Sequence, residues 1–342
     1  MFSAVHETMR RGVDRVFPAA VLLVADQGEP VLHAGFGGAE RLDTIFDIAS
    51  VTKAVGTSLA AMWLVDEGRL DLNADARRYL PDLRRPDAVG IRIWHLLAHA
   101  SGLPAYRPLF RTARGAGLVR AAAREPLEAA PGRRALYSDL GFILLGAIVE
   151  RIARRRLDEL LRERIFAPLG LRRTFFARRG ARPPRNVVVA PTGRCAWRKR
   201  ILRGEVNDEN AAAMGGVTGH AGLFSTAHDL HQICRALVGA WSGDRSGPLS
   251  PEVVRAFWKR SPVPGSTWCL GWDTPSARGS SAGRHLRSAV GHLGFTGCSL
   301  WVDARRARWV ILLTNRVALS PEPNRMKAFR PRLHDRVMEA LP

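Results

Sequence analysis

Strand-like segments at the two ends of the chain constrain its fold more than any other feature. Near the N-terminus, the apolar run AAVLLVA (19–25) is followed by the turn residues DQGEP. It is far shorter than the roughly 18 residues of a membrane helix, so it predicts a buried strand paired with a second strand ending near residue 37. Further strand-like segments are expected around 268–273, 286–292, 297–303 and 307–314.

The residues between these ends show mainly helical patterns. Apolar residues recur at helical spacing from about Ser50 to Glu67, which predicts a long helix. Other helices are expected over 1–16, 91–102, 117–125, 138–154, 157–166, 225–240 and 325–340. We therefore predict one unit over 1–342, with 1–68 and 215–342 forming a mixed α/β part and 69–214 a mostly helical insertion. The stretch 177–205 is expected to be a surface loop.

The charge of the chain is strongly basic, with a formal net value of +21. Only four of the 52 basic residues are lysines, and the arginines are spread along the chain, often in pairs. Without a helix-turn-helix, zinc-finger or aromatic RNA-binding motif, this pattern favours solvated arginine faces over nucleic-acid binding. A salt-sensitive attraction for anionic partners stays open.

Cysteine spacing and the N-terminal segment bear on the compartment. The four cysteines lie far apart with no Cys-x-x-Cys pair, which fits a reducing compartment and offers no zinc site. The first residues lack the order of a signal peptide, so we expect a cytoplasmic protein without a membrane span. A missing upstream export signal would change that expectation.

The segment FDIASVTKAV (46–55) places Ser50 and Lys53 three residues apart at the start of the long helix. On a helix both side chains lie on one face, so the amine can act as the base that activates the hydroxyl. Partial burial is expected to lower the pKa of Lys53 toward neutrality. The Ser50 N–H, at a helix start, can help to stabilise an oxyanion.

Two further motifs are expected to complete this site. Tyr137-Ser138-Asp139 opens the helix SDLGFILLGAIVERI, and Tyr137 can share in proton transfer. His292-Leu293-Gly294, in VGHLGFTGCSLWVD, precedes a strand-like segment, and the Phe295 N–H can supply the second oxyanion donor.

Together these motifs resemble the penicillin-recognising serine hydrolases, in the branch related to class C β-lactamases. The similarity runs from about residue 15 to 320. It includes LVDEGRLDLNADARRYLPDL, IRIWHLLAHASGLP and GGVTGHAGLFSTAHDL. It implies an α+β fold, with a five-stranded antiparallel sheet flanked by helices, a mostly helical domain and an active site between them.

The resemblance also implies roles for individual residues. Ser50 would be the acylated nucleophile, Lys53 its base and Tyr137 a proton-transfer partner, with the Ser50 and Phe295 amides as the oxyanion hole. Asp139, His292, Gly294 and His220 would contact the substrate. Asp139 stands where the family carries Asn, and His292 where its lactamases carry Lys. Both departures favour the esterase and D-amino-acid peptidase members over β-lactamases.

Other candidate motifs are weaker. Gly279–Gly283 matches the nucleophile-elbow pattern but lacks the flanking strand and helix. His95 and His99 have zinc-ligand spacing without the required glutamate, so packing is expected. His220 could contact substrate or support a loop, while Asp208 and Asn210 are expected to form a turn.

These observations predict a serine hydrolase that forms an acyl-enzyme on Ser50. Its substrates would be carboxylic esters or small amides containing a D-amino acid, with no metal or organic cofactor. One alternative is a true β-lactamase or DD-carboxypeptidase. Another is a catalytically silent binding scaffold of the same fold. The oligomeric state stays open.

Overall fold

The computed structural model describes residues 1–39, 41–83, 86–180, 186–320, 322 and 324–342. Its α-helices are α1 (Ser3–Gly12), α2 (Leu59–Asp66), α3 (Ile93–Leu97), α4 (Ala116–Arg124), α5 (Asp139–Ala153), α6 (Leu157–Leu161), α7 (Glu209–Ala213), α8 (Ala227–Ser242), α9 (Pro251–Phe257) and α10 (Asn324–Glu339). Its strands are β1 (Ala19–Asp26), β2 (Glu29–Gly37), β3 (Phe46–Asp47), β4 (Phe175–Phe176), β5 (Pro191–Cys195), β6 (Arg200–Arg203), β7 (Leu223–Ser225), β8 (Val290–Leu293), β9 (Ser299–Asp303) and β10 (Arg308–Thr314). Segments Lys53–Ser58 and Arg162–Phe166 are π-helical.

The two ends of the chain meet in one five-stranded antiparallel sheet of order β2-β1-β10-β9-β8. The central pair joins β1 to β10, with Val21 opposite Leu313 and Leu22 opposite Leu312. This arrangement confirms the five-stranded antiparallel sheet and the α+β class that the motifs imply.

The sheet is covered on both faces, which explains the uninterrupted apolar run of β1. Alternate residues of a strand point to opposite faces. Val21 and Leu23 pack in the core that includes α8, whereas Leu22 and Val24 pack in a second core with α1 and α10. All eight residues of β1 are buried as a result.

The helical part of the chain centres on α5, which is apolar over most of its circumference. Nine of its 15 residues are buried. Its Phe142 ring lies 5.7 Å from the Lys53 Nζ atom, so α5 packs directly against the π-helical start of α2. This contact joins the helical part to the segment that follows β3.

Several predicted elements differ from the structure. The helix predicted over 91–102 spans only Ile93–Leu97, and the long helix predicted from Ser50 is π-helical over Lys53–Ser58. The segment 268–273 makes only isolated bridges, Trp268 with Asp273 and Asp273 with Gly291. Within the predicted loop 177–205, β5 and β6 form a hairpin, while residues 181–185 lie outside the described residues. The hairpin is held by a tertiary contact, because Asn315 Nδ2 donates to the Pro191 carbonyl over 3.0 Å. No helix in the described part of the chain is long and apolar enough to cross a membrane.

Candidate active site

Ser50 follows a tight, strained turn after β3. Ala49 has a φ of 47°, in the left-handed region that non-glycine residues rarely adopt. The Asp47 carboxylate stabilises this turn by accepting hydrogen bonds from the Ala49 N–H (2.8 Å) and from the Asn207 N–H (2.7 Å). Burial raises the pKa of Asp47 to about 6. The turn directs the chain into the helix that carries Lys53.

Lys53 is fully buried and makes three polar contacts through its Nζ atom. It donates hydrogen bonds to the Ser50 Oγ atom and to the His220 carbonyl, both over 2.9 Å. Its third contact is an ion pair with Asp139 Oδ1 at 2.7 Å. The amine is therefore in place to receive the Ser50 proton.

The charge state of Lys53 differs from the sequence-based expectation. Burial acts to lower the pKa of Lys53, but the Asp139 carboxylate and the Tyr137 phenol outweigh it, so the pKa is raised above its ordinary value. The expected shift toward neutrality was wrong because the sequence does not reveal that the Asp139 carboxylate contacts this amine. In the resting protein Lys53 is a protonated ammonium.

Tyr137 lies over Lys53, with its ring centroid 5.0 Å from Nζ. The position of Tyr137 is set by Ser138, whose N–H donates to His99 Nδ1 (3.0 Å) and whose hydroxyl caps α5. The rings of His99 and Trp268 pack around it, with centroids 4.6 and 5.6 Å from that of Tyr137. Burial raises the pKa of Tyr137, so its phenol is neutral at physiological pH.

The turn after β8 is held against the Ser50 segment. Thr296 Oγ1 donates to the Asp47 carbonyl over 2.7 Å. A Cβ atom on Gly294 would lie 2.6 Å from the Ile48 carbonyl oxygen, so only glycine fits this approach. Phe295 and Ser50 consequently line the same cavity.

His292 is buried and neutral. Its Nδ1 lies 2.8 Å from the Leu293 carbonyl oxygen, which can only accept, so Nδ1 carries the proton. Burial lowers the pKa of His292 to about 3. The Nε2 atom has no partner among the described residues and is therefore a free acceptor beside the cavity.

His220 lies behind Lys53, not in the cavity wall. Its ring is 1% exposed and contacts Thr218 Oγ1 (3.0 Å) and Asp208 Oδ1 (2.9 Å). These contacts favour loop support, and its expected role in substrate contact stays a prediction. Asp208, expected to form a turn, instead caps α7 by accepting from the Ala211 N–H, and it also lines the cavity. Asn210, expected in the same turn, lies within α7.

The cavity beside Ser50 has a volume of about 770 Å³. Its charged lining comprises four carboxylates and three cationic side chains: Asp139, Asp208, Glu209, Asp273, Arg316, Lys327 and Arg330. The cationic groups belong to the segment after β10 and to α10. Arg330 donates to the Gly294 and Cys298 carbonyl oxygens and so also supports the Phe295 turn.

The nucleophile-elbow motif and His95 lie outside this site, whereas His99 packs against Tyr137. His95 Nδ1 accepts from the Arg92 N–H, and no cluster of potential metal ligands occurs in the part of the chain that is described. Gly279–Gly283 is irregular, and its Ala282 packs in the core beneath α10. All four cysteines are buried and free.

Three residues of the site are not found by sequence reasoning. Asp47 adjoins the Ser-x-x-Lys motif, but the left-handed turn at Ala49 that it stabilises is seen only in the structure. His99 and Trp268 become supports of Tyr137 solely through tertiary packing. Their aromatic character alone does not distinguish them from ordinary core residues.

Comparison with known proteins identifies the family. The family model for Beta-lactamase matches residues 5–331. The chain therefore belongs to the Beta-lactamase family, which confirms the resemblance carried by the motifs.

Its relatives include proteins named as different kinds of hydrolase. A putative D-alanyl-D-alanine carboxypeptidase of Salmonella agona is 30% identical over 89% of this chain and 80% of its own length. An N-acetylmuramyl-L-alanine amidase of Bacillus subtilis is 29% identical over 94% of this chain and 82% of its own length. The chain is thus related to β-lactamase-fold hydrolases.

Solved structures agree on the fold. A penicillin-binding protein homologue from Pyrococcus abyssi, described as octameric, aligns with a TM-score of 0.74 and 23% sequence identity. The alignment covers 96% of this chain and 74% of the homologue. EstCE1, described as a hydrolase with promiscuous acyltransferase activity, aligns with a TM-score of 0.72 and 22% sequence identity. The alignment covers 96% of this chain and 97% of EstCE1. At these identities the likeness concerns the fold alone.

Proposed function

We propose that this protein is a serine hydrolase that forms an acyl-enzyme on Ser50 and acts on carboxylic esters or small amides containing a D-amino acid. The observation that carries the proposal is the 2.9 Å hydrogen bond between Lys53 Nζ and Ser50 Oγ, beside a cavity that can hold a small substrate. A serine hydroxyl with a neighbouring amine is the arrangement that nucleophilic catalysis needs.

In the proposed reaction, the Lys53 ammonium first loses its proton to solvent, and the free amine accepts the Ser50 proton as Oγ attacks the substrate carbonyl. The Ser50 and Phe295 N–H groups stabilise the oxyanion. The neutral Tyr137 phenol supplies a proton to the leaving group and recovers one from Lys53. Water then attacks the acyl-enzyme and releases the acid, which restores the Ser50 hydroxyl.

The amide branch of the proposal is supported by the relatives, since one is named for a D-alanyl-D-alanine bond and another for an amide bond. Turnover of β-lactams is not favoured. His292, neutral and an acceptor at Nε2, stands where lactamases carry a cationic lysine. Against a silent scaffold stands the intact contact of Ser50 with Lys53.

The test is chromophore release from p-nitrophenyl butyrate by the wild-type protein and by Ser50→Ala. We expect Ser50→Ala to abolish release. The matched control is Ser281→Ala, which removes the central serine of the Gly279–Gly283 motif and should leave release unchanged. Equal release by wild type and Ser50→Ala would refute the proposal, as would loss of release in Ser281→Ala alone.

A further inference from the structure

One wall of the cavity is acidic. Asp139, Asp208 and Glu209 all line it. Tyr106 lines the same cavity, and burial together with the charges of these three carboxylates raises the pKa of its phenol to about 12. We call Asp139, Asp208 and Glu209 the acidic wall.

The acidic wall carries more negative charge than the protein neutralises. Asp139 pairs with Lys53, and Asp208 contacts the His220 ring. Among the described residues Glu209 has no ion-pair partner. The cationic side chains of the cavity belong to other segments, after β10 and in α10.

Neutral groups in the same cavity also suit a cation with N–H donors. Tyr106, Tyr137 and Trp268 line the cavity with aromatic rings, which attract ammonium groups through their faces. The buried His292 Nε2 is an acceptor without a partner in the described residues. Carboxylates, aromatic rings and a free acceptor together form a recognition site for an amine.

We propose that the acidic wall binds a cationic amine of the substrate, which becomes the counter-ion of Asp139 in place of Lys53 and frees Lys53 to accept the Ser50 proton. The substrate class is thus an ester or amide with a free amino group close to the reacting carbonyl. This inference rests on the proposed function, since it assigns Lys53 as the base.

As the amine binds beside Asp139, the Lys53 ammonium releases one proton to solvent, and its free amine then takes the Ser50 proton when Oγ attacks. The charge of Lys53 interacts with Asp139, Tyr137 and Asp208. It also interacts with two histidines, His99 and His292, and the pKa values of both histidines are lowered by burial and by the Lys53 charge.

The first test measures binding to the Ser50→Ala protein by calorimetry, so that no turnover is needed. The probes are D-alaninamide, which has a charged amine, and N-acetyl-D-alaninamide, which does not. We expect at least tenfold tighter binding of D-alaninamide, with proton release seen by comparing buffers of different ionisation enthalpy. Equal binding of the two probes, or no detectable binding of D-alaninamide, would overturn the inference.

The second test uses variants of the same Ser50→Ala protein. Adding Glu209→Gln should reduce the preference for D-alaninamide several-fold. Adding Glu205→Gln should not, because Glu205 pairs with Arg200 in the β5–β6 hairpin and does not line the cavity. An unchanged preference for D-alaninamide in the Glu209→Gln variant would show that Glu209 does not bind the amine, and it would refute the acidic wall as the amine site.

The two proposals fail separately. If p-nitrophenyl butyrate release does not depend on Ser50 but D-alaninamide still binds selectively, the serine hydrolase proposal is wrong and the amine site stands. If release depends on Ser50 but the two probes bind equally, the hydrolase stands and the amine site does not.

Discussion

At the residue scale, the Asp139 carboxylate sets the charge of Lys53, the proposed base. The Asp139 oxygen lies 2.7 Å from Lys53 Nζ, and this ion pair keeps the ammonium protonated despite complete burial. A base whose pKa is raised is free to act only at higher pH. In the proposed mechanism, Asp139 thus couples the pH range of the reaction to the charge of the molecule that occupies the cavity.

Asp139→Asn should shift the acid limb of kcat/KM for p-nitrophenyl butyrate to lower pH. Removing an opposite charge in contact lowers the pKa of a buried amine, typically by 1–3 units, so we expect a shift of about one unit or more. The measurement is the pH profile of wild type and variant. Asp43→Asn, which alters a surface carboxylate paired with Arg41, is the control. If the acid limb of the kcat/KM profile is the same in Asp139→Asn as in wild type, the ionisation of Lys53 does not set that limb.

Lys53→Ala should lower kcat for p-nitrophenyl butyrate by about 10²–10⁴-fold, the range of a lost general base. The variant also leaves the partly buried Asp139 carboxylate without its partner, which destabilises the fold. The double variant Lys53→Ala/Asp139→Asn should recover thermal stability while staying inactive. Recovered activity in the double variant would argue against Lys53 as the base.

At the element scale, the site depends on two turns that come from distant parts of the chain. One turn leads from β3 to Ser50, and the other joins β8 to β9. They are held together by the Thr296 bond to Asp47 and by the close approach of Gly294 to Ile48. The two proposed oxyanion donors therefore move as one unit.

Gly294→Ala should separate these turns, since its Cβ would lie 2.6 Å from the Ile48 oxygen. We expect kcat/KM for p-nitrophenyl butyrate to fall at least tenfold, because displacements near 1 Å can cost about 10²-fold in rate. Steady-state kinetics with a melting curve separates this effect from unfolding. Gly38→Ala, whose Cβ would have no neighbour closer than 3.8 Å, should retain activity. Unchanged kinetics in Gly294→Ala would mean that the turn does not position the site.

At the scale of the whole molecule, buried histidines link stability to pH. Burial lowers the pKa of His95 and His334 to about 4 and that of His292 to about 3, and it lowers the pKa of His99 as well. The unfolded chain takes up protons at these groups near pH 6.5 while the folded protein does not. Their contribution is fully present above pH 6.5 and is lost as the pH falls toward the folded values.

The free energy of unfolding should therefore decrease as the pH is lowered from about 6.5 to 4, by up to about 1.4 kcal/mol per pH unit for each such histidine. Asp47 opposes this trend between about pH 4 and 6, since its raised pKa lets the folded state hold a proton. Urea unfolding at several pH values measures the slope. His334→Asn should reduce the slope, and a slope that stays the same would exclude His334 as a contributor.

The elements of this protein could be predicted from local pattern. The spacing of apolar residues placed β1, α5 and α10 within a few residues, because periodicity reflects which face of an element is buried. The spacing of Ser50 and Lys53 likewise placed the two side chains one helical turn apart. Such features depend on neighbours in the chain, so the sequence contains them directly.

Only the tertiary structure decided how these parts act together. Lys53 meets Asp139 across 86 positions of sequence, and the Asp47 carboxylate meets the Asn207 N–H across 160. The charge of Lys53 and the tautomer of His292 follow from burial and from the groups that surround them. Desolvation and charge interactions act through space, which is why the same sequence that determined its helices and strands did not reveal the ionisation state of its active site.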